Sequence, residues 1–327
     1  MMKKTTLLLA VSASLLSMLA APWLLGDTWM YPTGATTYYS GNKTYALTVT
    51  PPPDQKKNKK KCMAVLKRSD SNAKNQVVWQ AALVNPVKPL EAMITSTGDY
   101  VVTFDTWFGV GTDPIVIYDS KGKLVCRHSL ESLGLMEYVD RSKTETSKDG
   151  RVTTITTDDD YITRSVSSIW WQKNAIKFFV KDERYLIIRL GWGMLLGVEL
   201  STGRVLVDVE LKALKAEIDE NVRREMSLLL ASDKGNEQAK GALIAGQEKY
   251  APAIPRLREL LKSKEHYENF QGLAISGVRE LLKNKGRYES AQGGQAKYNY
   301  YVRKASLDAL TALGEKADGV ITEETFP

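Results

Sequence analysis

The chain has 327 residues, of which 43% are hydrophobic and 25% are charged. That balance excludes a disordered or collagen-like chain, and the length predicts one large or two ordinary domains. The formal net charge is +7 at pH 7, and a lysine run between Lys56 and Lys61 supplies much of it. Because the run closely follows a triple proline, we interpret it as a solvated hairpin loop, with binding to an anionic surface as the alternative.

The N-terminal 26 residues have the pattern of a secretory signal. Lys3 and Lys4 precede an uncharged run, 5–26, that is dominated by Leu, Ala, Ser and Met. A short basic region followed by an apolar stretch is typical of a signal peptide. We therefore predict a signal peptide over 1–26 and export to the periplasm or the extracellular space. The alternative is an uncleaved membrane anchor, because the run is about long enough to span a bilayer.

Residues 27–209 have the pattern of β-strands. Short runs rich in β-branched and aromatic residues alternate with Gly, Asn, Asp and Pro, which indicates strands joined by turns. The clearest hairpin is 115–125, with its turn at 119–122. A similar phrase, 195–209, turns at Thr202 and Gly203. Both turns carry the Gly that tight hairpin turns favour.

The two hairpins belong to a unit that recurs after roughly 80 residues. Each is preceded by a further predicted strand, at 98–105 and at 183–190. The unit resembles a four-stranded propeller blade. A closed propeller needs at least about four blades, and we identify at most three. We therefore predict an irregular antiparallel β-domain with blade-like repeats over 27–209, and not a closed ring.

Two cysteines, Cys62 and Cys126, lie on different predicted strands. In an oxidising compartment two thiols can pair, and a disulfide closing so long a loop stabilises a fold. Sequence cannot show whether the two strands are neighbours. A possible disulfide between Cys62 and Cys126 and a pair of buried free thiols therefore both stay open. The spacing matches no metal site.

Near residue 210 the hydrophobic period changes from that of strands to that of helices. Apolar residues recur at spacings of three and four through 211–232 and again through 269–282. This periodicity predicts amphipathic helices. We therefore predict an α-helical domain over 210–327 and an α+β fold for the whole chain.

Two helical phrases in this region follow the same order of small and aliphatic residues. One contains Ala242, Leu243, Gly246 and Ala251 and leads into Ile254, Leu257, Leu260 and Leu261; the other contains Val302, Arg303, Ala309, Leu310, Leu313 and Gly314. They resemble HEAT repeats, with Val222 and Arg223 as a weaker third copy. The resemblance implies a short stack of helix pairs that binds proteins along one face. A helical bundle that supports the β-domain is the alternative.

An insertion at 286–301 separates the two phrases and is rich in tyrosine. It contains Tyr288, Tyr298, Tyr300 and Tyr301, and Arg303 follows it closely. Loops on repeat arrays often carry binding, and tyrosines supply rigid contact area. We predict that these residues bind a protein partner. The alternative is a connector whose tyrosines cover the adjoining helices.

A second candidate site is the loop that begins at Thr103 and ends at Pro114. It combines Trp107 and Phe108 with two glycines and two aspartates. Aromatic loops of this kind can stack on sugars or peptides. The alternative is a packed loop that closes the β-domain.

Residues suited to catalysis or metal binding form no recognisable motif. His128 and His266 lie in different predicted domains without a second ligand nearby, which argues against a metal site. The run Asp158–Asp160 could contact calcium, but its spacing favours a solvated turn. No phosphate-binding loop, dinucleotide fingerprint or nucleophile elbow is present. We predict no cofactor and no metal.

These observations favour an exported, non-enzymatic protein-binding or scaffold protein of a bacterial envelope, without a nucleic-acid partner. Contact with a membrane is expected only if the N-terminal segment stays uncleaved. Two alternatives remain. One is a carbohydrate- or cell-wall-binding protein that uses Trp107. The other is a hydrolase-type enzyme whose site lies in the β-domain around Asp105, Trp107, Asp113 and His128.

Overall fold

A computed structural model of the chain describes residues 32, 34–52, 61–70, 73–139, 143–146, 152–155, 162–164, 168–262 and 298–316. The predicted signal peptide, most of the lysine run, Asp158–Asp160, His266 and Tyr288 lie outside these residues. Antiparallel sheets occupy the first part of the described chain and helices the last part. The predicted α+β class is therefore confirmed.

The described residues of the β part form three antiparallel meanders in which strands follow chain order. The first sheet comprises β1 (Thr36–Tyr39), β2 (Tyr45–Thr50), β3 (Met63–Asp70) and β4 (Ala73–Ala82), and the second comprises β5 (Glu91–Ile94), β6 (Val101–Phe104), β7 (Ile115–Tyr118) and β8 (Leu124–His128). Two short ladders follow, which pair β9 (Lys143–Thr146) with β10 (Val152–Ile155) and β11 (Thr163–Arg164) with β12 (Ile169–Trp170). The third sheet comprises β13 (Ile176–Val180), β14 (Tyr185–Arg189) and β15 (Leu195–Glu199).

One of the two predicted hairpins forms in full. Strands β7 and β8 join at the predicted turn, where Asp119 Oδ1 accepts hydrogen bonds from the Lys121 and Lys123 amides at 2.8 and 2.9 Å. Gly122 has a φ of +72°, which an L-residue rarely adopts, so the turn requires glycine here.

The second predicted hairpin is incomplete. After the turn at Gly203 the chain makes a single bridge, Val198 to Val205. A helix then begins at Asp208 and takes the chain out of the sheet. The prediction of a fourth strand through residue 209 is therefore wrong, and the third sheet keeps three strands.

Alternation along the strands explains how the three sheets stack. Because neighbouring side chains on a strand face opposite ways, Val101 packs towards the first sheet and Val102 towards the third. Likewise Leu186 of β14 joins the core between the second and third sheets, whereas Ile187 joins the core between the third sheet and the helices. The described chain therefore forms four layers, three of strands and one of helices.

Within the described residues, five helices form the last layer. They are α1 (Asp208–Ala213), α2 (Lys215–Ala231), α3 (Gly235–Gln247), α4 (Ile254–Lys262) and α5 (Tyr298–Ala312). Helix α2 buries Ile218, Val222 and Met226 in the core that it shares with β13. The predicted β- and α-regions are thus joined by the hydrophobic core that lies between the third sheet and the helices. Among the described residues no helix is long and apolar enough to cross a membrane.

The two helical phrases of the sequence pack directly against each other. A Cβ atom on Gly246 of α3 would lie 2.9 Å from the Ala309 Cα of α5, so the missing side chain lets the helices approach. Likewise, a Cβ atom on Gly241 of α3 would lie 2.9 Å from the Leu230 amide nitrogen of α2. The HEAT-like assignment itself stays a prediction.

The cysteines do not form the disulfide that the sequence left open. Both thiols are free. Cys62 is fully buried in the core of the first sheet, whereas Cys126 packs against the core between the second and third sheets. Their separation into different layers accounts for the absence of a bond.

Candidate binding cleft

An open cleft of about 540 Å³ lies where the three sheets meet the helices. We call it the central cleft. It is lined by Tyr39 and Gly41 beside β1, by residues 92–94 of β5, by residues 177–180 of β13 with Asp182 and Glu183 after it, and by Glu217, Asn221, Arg224 and Glu225 of α2. Its volume is in the range of protein ligand sites.

The first strands of the three sheets adjoin around this cleft. Strand β1 is tied to the second sheet, since Tyr38 donates its hydroxyl to the Pro89 carbonyl at 3.0 Å. The Asn42 side-chain amide donates to the Ser96 carbonyl at 3.0 Å. Each first strand is an edge strand, because only its other side pairs within the described part of its own sheet.

Two side-chain contacts join β5 to β13 along the cleft. At one end the Lys177 ammonium pairs with the Glu91 carboxylate. Beyond the other end Glu183 Oε2 accepts hydrogen bonds from the Ser96 amide and hydroxyl, both at 2.6 Å. No ladder between β5 and β13 exists among the described residues. The two strand edges are therefore held near each other without being paired.

Helix α2 closes the third side of the cleft and adds negative charge. Glu217 Oε1 accepts a hydrogen bond from the Lys181 amide at 2.8 Å, which fixes the helix over the end of β13. Asp182, Glu183, Glu217 and Glu225 face two cations, Lys177 and Arg224. The cleft is thus acidic in a chain whose net charge is +7.

Two lysines lie at the base of this arrangement. The Lys177 side chain is 9% exposed and its Nζ lies 4.8 Å from the centre of the Phe104 ring. Lys240 of α3 donates a hydrogen bond to the Ala175 carbonyl. Burial, together with the positive charge of Lys177, lowers the pKa of Lys240 to about 8. Lys240 therefore joins α3 to the segment before β13, whereas Lys177 joins β13 to β5.

The predicted loop that begins at Thr103 is held by Asp105. The Asp105 side chain is fully buried, and its Oδ1 accepts hydrogen bonds from Gly111 N and Trp171 Nε1, both at 2.8 Å. Gln172 donates to Oδ2. Burial raises the pKa of Asp105 to about 7 against the opposing effect of these donors. Asp105 therefore clamps the loop to the segment at 171–172.

The other residues of the predicted catalytic set also have structural partners. Asp113 is buried and pairs with Arg127. His128 Nε2 lies 2.8 Å from the Gly203 carbonyl, and its Nδ1 lies 3.2 Å from the Ser132 hydroxyl. Burial lowers the pKa of His128. Asp113 and His128 thus each connect strand β8 with a loop, Asp105 connects two loop segments, and none of the three lines the central cleft.

Trp107 and Phe108 lie at the tip of the clamped loop and are partly buried. The Trp107 amide donates to the Lys88 carbonyl at 3.0 Å, and the Lys88 ammonium lies 4.7 Å from the centre of the Trp107 ring. A cation over an aromatic face stabilises both groups. Binding by Trp107 and Phe108 stays a prediction.

The tyrosine-rich insertion is described only in part. Tyr298, Tyr300 and Tyr301 lie on the first turn of α5. Arg303 donates from Nε to the Leu261 carbonyl near the end of α4, at 2.8 Å. An arginine near the end of a helix satisfies carbonyls that lack an intrahelical donor. Arg303 therefore holds two helices together, and a binding role for it and the tyrosines stays a prediction.

Sequence reasoning missed the central cleft. Its contacts join Glu91 to Lys177 and Ser96 to Glu183, and both pairs are more than 80 residues apart in the chain. No local motif marks them. One usable signal was that each blade-like unit must expose the outer edge of its first strand unless a neighbour covers it. Among the described residues no group of three or more His, Cys, Asp or Glu side chains could hold a metal ion.

No family model matches the chain, and no curated protein matches it. Among solved structures, similarity extends to BamB from Moraxella catarrhalis (16% identity, 52% of this chain and 48% of that chain, TM-score 0.22). It extends also to the periplasmic gluconolactonase PpgL from Pseudomonas aeruginosa (12% identity, 52% of this chain and 55% of that chain, TM-score 0.24). A third similar structure is HIRA(644-1017) (12% identity, 90% of this chain and 99% of that chain, TM-score 0.25).

The chain thus spans about half the length of the first two of these proteins. TM-scores of 0.22 to 0.25 do not define a common overall fold.

Proposed function

We propose that the chain is an exported, non-enzymatic protein-binding protein of the cell envelope and that its partner binds in the central cleft. The observation that carries the proposal is the pair of unpaired strand edges, β5 and β13, that face one cleft beneath α2. Exposed strand edges present backbone donors and acceptors that another polypeptide can pair with.

The rigidity of the walls supports the same proposal. Strand β5 is tied to β6 and to the third sheet, and β13 is tied to β14 and to α2. A preformed cleft reduces the entropy that a partner loses on binding. Because Asp105, Asp113 and His128 are committed to packing, a binding role agrees better with the described residues than the hydrolase alternative.

Site-specific photocrosslinking tests the proposal. The crosslinking amino acid replaces Arg224, which lines the cleft, or Arg223, which is exposed on α2 outside it. Adjacent helix residues point about 100° apart, so Arg223 is a matched control. We expect a discrete protein adduct in the envelope fraction from position 224 and none from position 223. Identical adducts from both positions, or none from either, would contradict the proposal.

A second candidate is binding of carbohydrate or cell wall through Trp107. The observation that favours it is the rigid hold on the loop, since Asp105 and Gly111 fix an aromatic tip that stays partly exposed. Retention on peptidoglycan or another polysaccharide, lost in Trp107→Ala, is the expected result for this candidate. Unchanged retention in the variant would exclude it.

A further inference from the structure

We infer that the partner enters the central cleft as an extended segment rich in lysine or arginine, which adds as a strand to the edge of β5 or β13. This inference rests on the proposed function and specifies the chemistry of the partner. Its three supports are the direction of the two edges, the open space between them and the charge of the cleft.

The first support is that the two edges run in the same direction. Glu91 at the start of β5 contacts Lys177 near the start of β13, and Ser96 after β5 contacts Glu183 after β13. Five residue steps separate Glu91 from Ser96, which is about 17 Å of extended chain at about 3.3 Å per residue. One extended segment of about five residues can therefore follow both edges between the contacts.

The second support is that both strands have open space and unpaired strand edges on the side that faces the cleft. Within the described chain, β5 pairs only with β6 and β13 only with β14. Natural proteins usually cover or charge an exposed edge to prevent unwanted pairing. Here β1 lies beside β5 and α2 beside β13, yet neither edge pairs with another strand in the described chain, and an open cleft of about 540 Å³ lies between them. The arrangement suits a strand supplied by another chain.

The third support is the surplus of negative charge. The four carboxylates that line the cleft outnumber its two cations, of which Lys177 pairs with Glu91 and Arg224 with Glu225. Glu183 and Glu217 each use one oxygen for a backbone amide, whereas the other oxygen has no partner within the described residues. Cationic side chains of an entering strand would complete these bonds.

Residues that line β5 distinguish a peptide from a small cation such as a polyamine. Residues 92–94 line the strand side of the cleft, and their side chains pack into the cores on either face of the second sheet. The edge of β5 therefore offers backbone hydrogen-bonding groups, and a cationic peptide satisfies the carboxylates of α2 and a strand edge together. A free polyamine would satisfy the carboxylates alone.

Fluorescence anisotropy with labelled nine-residue peptides tests the charge requirement on the full exported chain. One peptide alternates Lys with Val and the other alternates Glu with Val. We expect the lysine peptide to bind at least about tenfold more tightly than the glutamate peptide in low salt, and to weaken as sodium chloride is raised. Equal affinities, or no binding of the lysine peptide, would overturn the inference.

Isosteric variants locate the binding. Glu183→Gln and Glu217→Gln remove a charge but keep the oxygen that accepts the backbone bond, so the cleft keeps its shape. We expect each to weaken the lysine peptide about three- to tenfold. Asp219→Asn, about 200° round α2 from Glu217 and outside the cleft lining, is the matched control and should change nothing. An equal effect of all three variants would overturn the inference.

Hydrogen exchange separates strand addition from simple charge attraction. The lysine peptide should slow exchange in the segments 91–94 and 176–180, whereas spermidine at saturation should not. Protection by spermidine equal to that by the peptide, or no protection by either, would overturn strand addition. A photocrosslinked partner whose capture is unaffected by Glu217→Gln would overturn this inference and leave the proposed function standing.

Discussion

Arg189 of β14 and Glu248, directly after α3, join the third sheet to the helices. The Arg189 side chain is 2% exposed, and its Nη2 lies 2.6 Å from Glu248 Oε1. The same guanidinium donates to Gln247 Oε1 at 3.0 Å, and Gln247 in turn donates to the Gly191 carbonyl at 2.8 Å. A buried cation is thereby held by a carboxylate that is 41% exposed.

This asymmetry predicts that removing the carboxylate destabilises the fold more than removing the cation. Glu248→Ala leaves Arg189 buried without its counter-ion, which should lower the free energy of unfolding by about 2 kcal/mol or more. Arg189→Met removes the buried charge and keeps apolar volume, while Glu248 returns to water. We expect it to cost less. Urea unfolding of both variants measures the difference, and a larger loss for Arg189→Met would contradict the argument.

The buried carboxyl of Asp105 predicts a dependence of stability on pH. Its pKa is about 7 in the folded chain against 3.8 for an ordinary aspartate. Between these values the folded state holds a proton that the unfolded state has lost. Raising the pH from about 4 to 7 should therefore lower the free energy of unfolding by about 1 kcal/mol per pH unit from this residue. Above pH 7 its contribution should stay constant.

Asp105→Asn tests the cause of that dependence. Asparagine can still accept from Gly111 and Trp171 through its oxygen. Its amide can donate to Gln172 Oε1, which is buried and unpartnered in this structure, once the Gln172 amide turns over. We expect the variant to be at least as stable as the parent at pH 8 and to lose the slope between pH 4 and 7. A slope unchanged in urea unfolding across that range would contradict the assignment to Asp105.

Local sequence signals predicted those parts of the fold that depend on neighbours in the chain. The turn at Asp119 and Gly122 needs only its own side chain and backbone, and α2 follows from the spacing of Ile218, Val222 and Met226. The predicted strand beyond Gly203 failed because the chain turns into α1 after one bridge at Val205. The residues after Gly203 have strand propensity, but the packing of the following helix on the sheet outweighs it.

The candidate site could not be predicted because its residues meet only after folding. Asp105 lies in a glycine-rich aromatic loop, a setting in which an aspartate is a candidate catalytic residue. Its hydrogen-bond donors Trp171 and Gln172, however, lie more than 60 positions later in the chain. The pairing of Glu183 with Ser96 likewise spans 87 positions. Such contacts depend on the order in which layers stack, and no periodicity along the chain encodes that order.

The contact between Gly246 and Ala309 predicts a size limit where α3 meets α5. A Cβ at position 246 would lie 2.9 Å from the Ala309 Cα, and backbone cannot yield as a flexible side chain can. Gly246→Val should therefore lower the free energy of unfolding by about 1 to 3 kcal/mol. Gly34→Ala, with no atom within 4 Å of the added Cβ, is the control and should be nearly neutral. Equal melting temperatures for both variants would contradict this packing.

The free thiols predict how the folded chain reacts with a thiol reagent. Burial raises the pKa of Cys62 to about 12 and that of Cys126 to about 11, and the thiolate is the reactive form. In the native state at pH 8 both should react slowly with Ellman's reagent, Cys126 before Cys62, because Cys62 is fully buried. Unfolding in denaturant without reductant should release two thiols per chain. Release of none, with a mass two units lower, would mean that a disulfide joins them.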